Sequence, residues 1–254
     1  MKQHQFLNTS KILGGVTLYD KDAPAGNDVS LQHGKYTQAI LQNRQALADE
    51  INLPLNNWVL ARQEHTANFY EVGTKEKGKG SIEFEQGIAH TDALYTTQPN
   101  ILIGAMTADC VGILLVDETT PCIATIHSGW KGTLQSITSK TVQHLIQQEL
   151  IHPKSTKAYF SPSILYDSLE MGVEVIDQFR NAGFDLTGYI KEKENGKYLL
   201  DNQGLNIKML KELGIHNITP SSIDTFTNVE DTFSYRRKMI GRHMTYAMIK
   251  EDVQ

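Results

Sequence analysis

Three short apolar segments in the middle of the chain limit the folds that are open to it. They read ILIGAM (101–106), VGILLVD (111–117) and CIATI (122–126). Apolar runs of this length are typical of buried β-strands. Polar residues follow directly, because TADC separates the first two runs and HSGWKG follows the third. The sequence therefore predicts a central β-sheet with its chemically active residues at strand ends.

Helical patterns alternate with these strands. Apolar residues recur at helical spacing over 36–51 and over 134–150, and two further helices are predicted at about 168–181 and 201–213. Shorter extended segments are predicted at 58–63, 65–73, 81–86, 157–161, 197–201 and 222–226. This alternation predicts a mixed α+β fold, with a mixed β-sheet core flanked by helices.

Composition restricts the class of protein. The chain has 254 residues with 40% hydrophobic content and no linker or repeat, which predicts a single domain over residues 1–254. A net charge of −5 without a basic block argues against nucleic acid as a partner. The N-terminus carries no secretory apolar core, and no apolar run is long enough for a membrane. We therefore expect a cytoplasmic protein whose two cysteines are reduced thiols.

Three possible metal ligands stand in distinctive polar contexts. They are His65 in QEHTANF, Cys110 in TADC and His127 in IHSGWKG. Their spacing matches no zinc finger, and a lone histidine or cysteine is often only a structural residue. Two imidazoles and a thiolate nevertheless suit zinc, and catalytic zinc sites gather three ligands from distant strands and leave the fourth position to water.

Six segments resemble one known family in the order that the family has them. They read GGVT, NRQAL, QEHTANF, DALYTTQPNILIGAMTADCVGILLVD, IATIHSGWKG and FSYRR. The chain thus resembles the YfiH family, once labelled laccase-domain or polyphenol oxidase-like proteins and also called peptidoglycan editing factors. The resemblance implies a fold similar to that of the cytotoxic necrotizing factors. It also places the family's zinc ligands on His65, Cys110 and His127.

The resemblance further implies a function. Members of the YfiH family are regarded as zinc-dependent purine nucleoside phosphorylases that act on adenosine, inosine, guanosine and S-methyl-5′-thioadenosine, and that also deaminate adenosine. The implied partners are purine nucleosides and phosphate, and we expect a monomer or a small homo-oligomer. Where the family often has GWRG, this chain has Lys131, so a planar guanidinium is replaced by an ammonium group.

Charged residues near these motifs are candidates for supporting roles. Phosphate requires cationic donors, for which the candidates are Arg44, Lys131, Arg236 and Arg237. Carboxylates that orient metal-binding histidines are expected at Asp92 and Asp109. In an extended segment Gln63 shares a face with His65, whereas Glu64 points to the opposite face.

Three other functions compete with this interpretation. A multicopper oxidase needs paired His-x-His ligands, and none of the nine histidines is two residues from another, so copper is disfavoured against one zinc ion. A cysteine-type hydrolase or amidase, including one that edits peptidoglycan precursors, would use Cys110 as nucleophile and His127 as base. A non-enzymatic zinc-binding protein would close the site with a fourth protein ligand.

Overall fold

The structure is a computed structural model, and it describes residues 1–251. It contains two large β-sheets and one small one. The strands, in chain order, are β1 (Gln3–Asn8), β2 (Ile12–Thr17), β3 (Trp58–Leu60), β4 (Phe69–Glu71), β5 (Ala93–Thr96), β6 (Leu102–Thr107), β7 (Val111–Asp117), β8 (Cys122–Ser128), β9 (Lys157–Phe160), β10 (Glu170–Met171), β11 (Ile190–Glu192), β12 (Tyr198–Leu200), β13 (Asn217–Thr219) and β14 (His243–Ile249).

Five α-helices accompany the sheets. They are α1 (Thr37–Glu50), α2 (Trp130–Leu134), α3 (Ile137–Gln147), α4 (Val173–Asn181) and α5 (Asn202–Glu212). Within residues 1–251, none of the helices combines the length and apolar character that crossing a bilayer requires.

The sheets mix parallel and antiparallel neighbours. The first large sheet has the order β1-β2-β14-β6-β3, in which only β3 and β6 are parallel. The second has the order β13-β9-β7-β8-β5-β4, with parallel pairs at its two edges and antiparallel pairs between them. A small antiparallel sheet, β10-β12-β11, stands apart from both. The predicted mixed α+β fold is confirmed.

The two large sheets pack face to face between helices. Alternate residues of β7 divide between two cores: Leu114 and Val116 face the first sheet, whereas Ile113 and Leu115 face α3 and α5. On its other side the first sheet is covered by α1, which packs Leu47 against that sheet's outer face. Both faces of β7 are therefore buried, which explains why its sequence is a continuous apolar run.

The structure corrects four predicted elements. The segment 81–86 alternates in polarity, but it lies unpaired with Ile82 51% exposed, and its end forms a 3-10 helix instead of a strand. Segment 222–226 forms only an isolated bridge at Asp224. The helix predicted over 134–150 is split into α2 and α3, because Ser136 adopts a left-handed φ of 60°. The helix predicted from 168 begins at Val173, because the residues before it pair as β10.

Candidate metal centre

Neighbouring strands of the second sheet bring Cys110 and His127 together. Cys110 directly precedes β7, and His127 lies near the end of β8. The strands are antiparallel, and their register pairs Gly112 with His127 and Val111 with Ser128. The start of one strand therefore lies beside the end of the other, so the thiol and the imidazole meet at one edge of the sheet.

His65 reaches the same place from the loop between β3 and β4. Its left-handed φ of 61° turns the chain sharply, and its Nε2 lies 3.8 Å from Cys110 Sγ. The ligand atoms of His65, Cys110 and His127 all lie within 4.8 Å of one another. Gly129 leaves room for the cluster, because a Cβ at that position would lie 2.8 Å from the sulfur.

Asp92 organises both histidines from a buried position just before β5. Its Oδ1 lies 2.8 Å from Nδ1 of His127, which directs the Nε2 of that ring away from the carboxylate and toward the cluster. The same carboxylate accepts hydrogen bonds from the backbone N–H groups of Glu64, His65 and Thr66. One side chain thus fixes the His65 loop and the orientation of the His127 ring.

The cluster also changes the acidity of its members. Burial raises the pKa of the Cys110 thiol. The charge of His127 and hydrogen bonds to His127 and His65 outweigh that effect and lower the pKa to about 6. Burial lowers the pKa of His127, but Cys110 and Asp92 together raise it to about 9. Without metal, the structure therefore favours a thiolate beside an imidazolium at neutral pH.

This acidity predicts how the metal-free protein reacts with iodoacetamide. Alkylation of Cys110 is expected to rise as the pH increases through about 6, since the thiolate is the nucleophile. Cys122 serves as an internal control, because it is buried and burial raises its pKa to about 12. Peptide mass spectrometry after timed labelling measures both sites. Labelling of Cys110 that begins only above pH 8 would contradict the prediction.

The donor set fits a zinc ion. Zinc binds thiolate and imidazole ligands at about 2.0–2.3 Å in a tetrahedron, which places neighbouring donor atoms about 3.5 Å apart. The 3.8 Å between Cys110 Sγ and His65 Nε2 is close to that spacing. Within residues 1–251, three protein donors meet at this cluster. A tetrahedral ion there would keep its fourth position for a substrate or water.

A cavity of about 720 Å³ opens over the three ligands. Its volume lies in the range of small-molecule sites. Part of its wall is apolar and belongs to the core around α4 and the small sheet, with the residues Trp130, Ile164, Leu169 and Met171. A flat aromatic ligand can bury a ring against this wall.

The predicted phosphate-binding cations separate into two groups. Lys131 and Arg236 line the cavity. Arg44 is buried, and its guanidinium donates to the backbone carbonyls of Val29, Gly80 and Ser81 at 2.6–2.7 Å. Arg44 therefore holds three chain segments together and is not among the cavity residues.

Arg237 also turns away from the cavity. Its guanidinium donates to the carbonyl oxygen of Thr232 at 2.6 Å within the loop that precedes β14. Asp109 does line the cavity, with Oδ1 accepting from Thr225 and Oδ2 accepting from the N–H of Arg236. Asp109 therefore orients the Arg236 segment, whereas the carboxylate that orients His127 is Asp92.

The predicted extended segments around His65 are shorter in the structure, because β3 ends at Leu60 and β4 begins at Phe69, but the side chains before His65 still divide as predicted. Gln63 lines the cavity and exchanges two hydrogen bonds with the backbone of Met106. Glu64 lies outside the cavity and pairs with His90 at 2.6 Å. The expectation that Glu64 faces away from the ligands is therefore met.

Four polar residues that line the cavity lie outside the motifs of the sequence and were not predicted. They are Gln32, His33, Asn202 and Arg242. Each comes from a segment without a distinctive motif, and none is near a ligand in the sequence. Only the packing of the loop before α1, the start of α5 and the start of β14 brings them to the cavity.

Fold and site together define a class of protein: a mixed α+β sandwich in which three side chains that could hold a metal ion lie at the base of an open cavity. The family model described as multi-copper polyphenol oxidoreductase laccase matches residues 11–250. The chain belongs to this family, as its resemblance to the YfiH proteins indicated.

Relatives agree with this assignment. The chain is 28% identical to the purine nucleoside phosphorylase YlmD of Bacillus subtilis, over 98% of this chain and 84% of the relative. It is 30% identical to the adenosine deaminase RL5 of an unknown prokaryotic organism, over 83% of this chain and 81% of the relative. The crystal structure of the hypothetical protein YfiH of Bacillus licheniformis superposes with a TM-score of 0.88 at 27% identity, over 94% of this chain and 93% of the other.

Proposed function

We propose that this chain is a zinc-dependent purine nucleoside phosphorylase that acts on adenosine, inosine, guanosine and S-methyl-5′-thioadenosine and also deaminates adenosine. It acts as a single domain in the cytoplasm, where its thiols stay reduced. The observation that carries the proposal is the open cluster of His65, Cys110 and His127 at the base of a cavity of nucleoside size. Relatives named as a purine nucleoside phosphorylase and as an adenosine deaminase support both activities.

The zinc site would serve both reactions. Bound zinc lowers the pKa of a water molecule and attracts developing negative charge. The ion would be held by His65, Cys110 and His127, and Asp92 would keep the His127 ring in the orientation that binding requires. An open fourth position supports a catalytic site over a purely structural one, since structural zinc sites are closed by four protein ligands.

Other cavity residues would bind the two substrates. Lys131 and Arg236 supply positive charge for a phosphate dianion. The apolar wall around Trp130 would hold the purine, because burying an aromatic ring against apolar side chains is favourable. Both substrates would then lie in one cavity beside His65, Cys110 and His127, as a displacement at the sugar carbon requires.

Product analysis in two buffers tests this function. With zinc-loaded protein, release of hypoxanthine from inosine is expected only when phosphate is present, together with ribose 1-phosphate. Conversion of adenosine to inosine is expected in both buffers, because deamination consumes water and no phosphate. Equal base release in both buffers with free ribose would identify a hydrolase, and no turnover in either would refute the proposal.

Removal of the Lys131 ammonium group should slow phosphorolysis more than deamination. Lys131→Ala is expected to lower phosphorolysis by about 10-fold, because one charge-assisted hydrogen bond to phosphate is lost. Deamination should stay within about 3-fold of the unmodified protein. Lys140→Ala is the matched control, since Lys140 is an exposed lysine on α3 outside the cavity lining. An equal loss of both activities would remove Lys131 from the phosphate site.

A cysteine hydrolase is the second candidate, and one observation favours it. The site has the three groups of a cysteine hydrolase: a nucleophile in Cys110, a base in His127 and an orienting carboxylate in Asp92. The aspartate Oδ1 lies 2.8 Å from Nδ1 of the histidine. The lowered pKa of Cys110 also suits a thiolate nucleophile. Such an enzyme would cleave an amide, for example in a peptidoglycan precursor.

Trapping a covalent intermediate separates the candidates. Protein quenched in acid during turnover is digested, and the mass of the Cys110 peptide is measured. We expect no added mass, because a zinc-bound thiolate is already engaged. An acyl adduct on Cys110 would establish the hydrolase instead.

A further inference from the structure

The cations of the cavity differ in how firmly they are held. Lys131 and Arg236 are exposed, whereas the Arg242 side chain is half-buried. Its Nη1 donates to the carbonyl oxygens of Ile240 and Gly241 at 2.8 and 2.9 Å. Its guanidinium carbon lies 5.8 Å from the ring centre of Tyr235. The group is therefore fixed on one edge and stacked on one face, which leaves its other nitrogen edge for a ligand.

Among the described residues, no carboxylate oxygen lies within 4.0 Å of the Arg242 guanidinium, and the charges of Asp28 and Asp109 act on it from a greater distance. Among residues 1–251, the arginine ion pairs are those of Arg62 and Arg180, on other surfaces. Asp28 approaches Arg242, but its carboxylate accepts the backbone N–H at 3.0 Å. Charges that lose water on burial are normally paired. A half-buried, unpaired guanidinium that lines a cavity thus indicates that the partner comes from outside the protein.

The nearest carboxylate of the cavity does not supply that partner. Both oxygens of Asp109 are engaged, one by Thr225 at 2.6 Å and the other by the backbone N–H of Arg236 at 2.7 Å. One lysine, two arginines and this one carboxylate line the cavity, besides three histidines. The surplus of positive charge favours an anion with several acceptor oxygens, for which a guanidinium is the best-matched donor.

We propose that Arg242 binds the free phosphate dianion that attacks the nucleoside, as a specificity-determining residue for that co-substrate. The inference rests on the proposed phosphorolysis and assigns its anion to one guanidinium. Stacking on Tyr235 and the two carbonyl contacts hold the guanidinium ready, so little conformational freedom is lost when phosphate binds. Lys131 and Arg236 then add charge from more mobile positions.

Steady-state kinetics of zinc-loaded variants test the assignment. Arg242→Gln is expected to raise the KM for inorganic phosphate about 10- to 100-fold in inosine phosphorolysis. The KM for inosine and the rate of adenosine deamination should stay within about 3-fold, which also shows that the cavity is intact. Arg242→Lys should give an intermediate KM, because it keeps the charge and loses the planar fork.

Arg180 offers a matched control. Its guanidinium also stacks on a tyrosine ring, at 5.5 Å from that of Tyr198, but outside the cavity. Arg180→Gln should leave the phosphate KM unchanged. An unchanged phosphate KM in Arg242→Gln, or an equal loss of phosphorolysis and deamination, would overturn the inference.

Calorimetry separates this inference from the proposed function. Inorganic phosphate titrated into the zinc-loaded protein should bind, and Arg242→Gln should abolish that heat even if no phosphorolysis is detected. Inosine 5′-monophosphate tests the other source of the same anion. If it binds more tightly than inosine and loses that advantage in Arg242→Gln, the guanidinium serves a phosphate on the substrate, and the assignment to free phosphate is wrong.

Discussion

Replacing Cys110 with serine is expected to remove the bound metal and to lower both nucleoside activities at least about 1000-fold. A catalytic metal ion supplies several kcal/mol of transition-state stabilisation. The substitution removes the only sulfur of the cluster and leaves a hydroxyl, which is a poor zinc ligand at neutral pH. Elemental analysis of the purified variant and chromatography of the products measure the two effects.

Cys122→Ala is the control for this experiment. Cys122 is the other free cysteine, and it lies in the core beneath α3, outside the cavity. That variant should keep its metal and its activity, at some cost in thermal stability. Full metal occupancy in folded Cys110→Ser would show that the ligand set is wrong. Copper in place of zinc in the unmodified protein would contradict the zinc assignment.

Asp92→Asn is expected to weaken metal binding by about 100-fold while the protein still folds. Burial raises the pKa of Asp92, but hydrogen bonds from His127 and Thr66 together with the charge of His127 lower it to about 2, so the group is a carboxylate at neutral pH. An amide has one acceptor oxygen in place of two, and its NH₂ faces donors. The His127 ring and the His65 loop therefore lose a common anchor. Losses of about 10- to 100-fold are typical when such orienting partners are removed.

Competition with a zinc chelator measures this affinity. Asp117→Asn is the matched control, because Asp117 is equally buried and accepts hydrogen bonds from Thr119, His152 and Ser155 at the far end of β7. Both variants should unfold at lower temperature, since each loses hydrogen bonds to a buried carboxylate. Only Asp92→Asn should lose zinc. Unchanged zinc affinity in Asp92→Asn would contradict its role as the anchor of the two histidines.

The description of the family and the chemistry of the site differ in an informative way. The family model is described as a multi-copper oxidoreductase, whereas two similar proteins are named as a phosphorylase and a deaminase. Within residues 1–251, the donors that gather at one point are His65, Cys110 and His127. Three donors suit a single ion. A cluster of several copper ions needs many more imidazoles than residues 1–251 bring together at one point.

Part of the fold could be predicted from local pattern alone. Helix α1 and strand β7 lie where periodicity and apolar runs placed them, because burial of one helical stripe or of a whole strand is written in consecutive residues. The segment 81–86 has the alternation of a strand and still forms none. A strand needs a partner for its backbone groups, and the availability of that partner depends on the rest of the chain.

The site divides in the same way. The donor types and their local setting follow from local sequence, since His65, Cys110 and His127 stand in motifs that a short stretch of residues specifies. Which charges lie near them depends on the folded chain, which buries Arg44 among backbone carbonyls and turns Arg242 into the cavity. The difference arises because a donor's chemical type is a property of one residue, whereas the direction of a charged side chain depends on packing and hydrogen bonds between segments far apart in the chain.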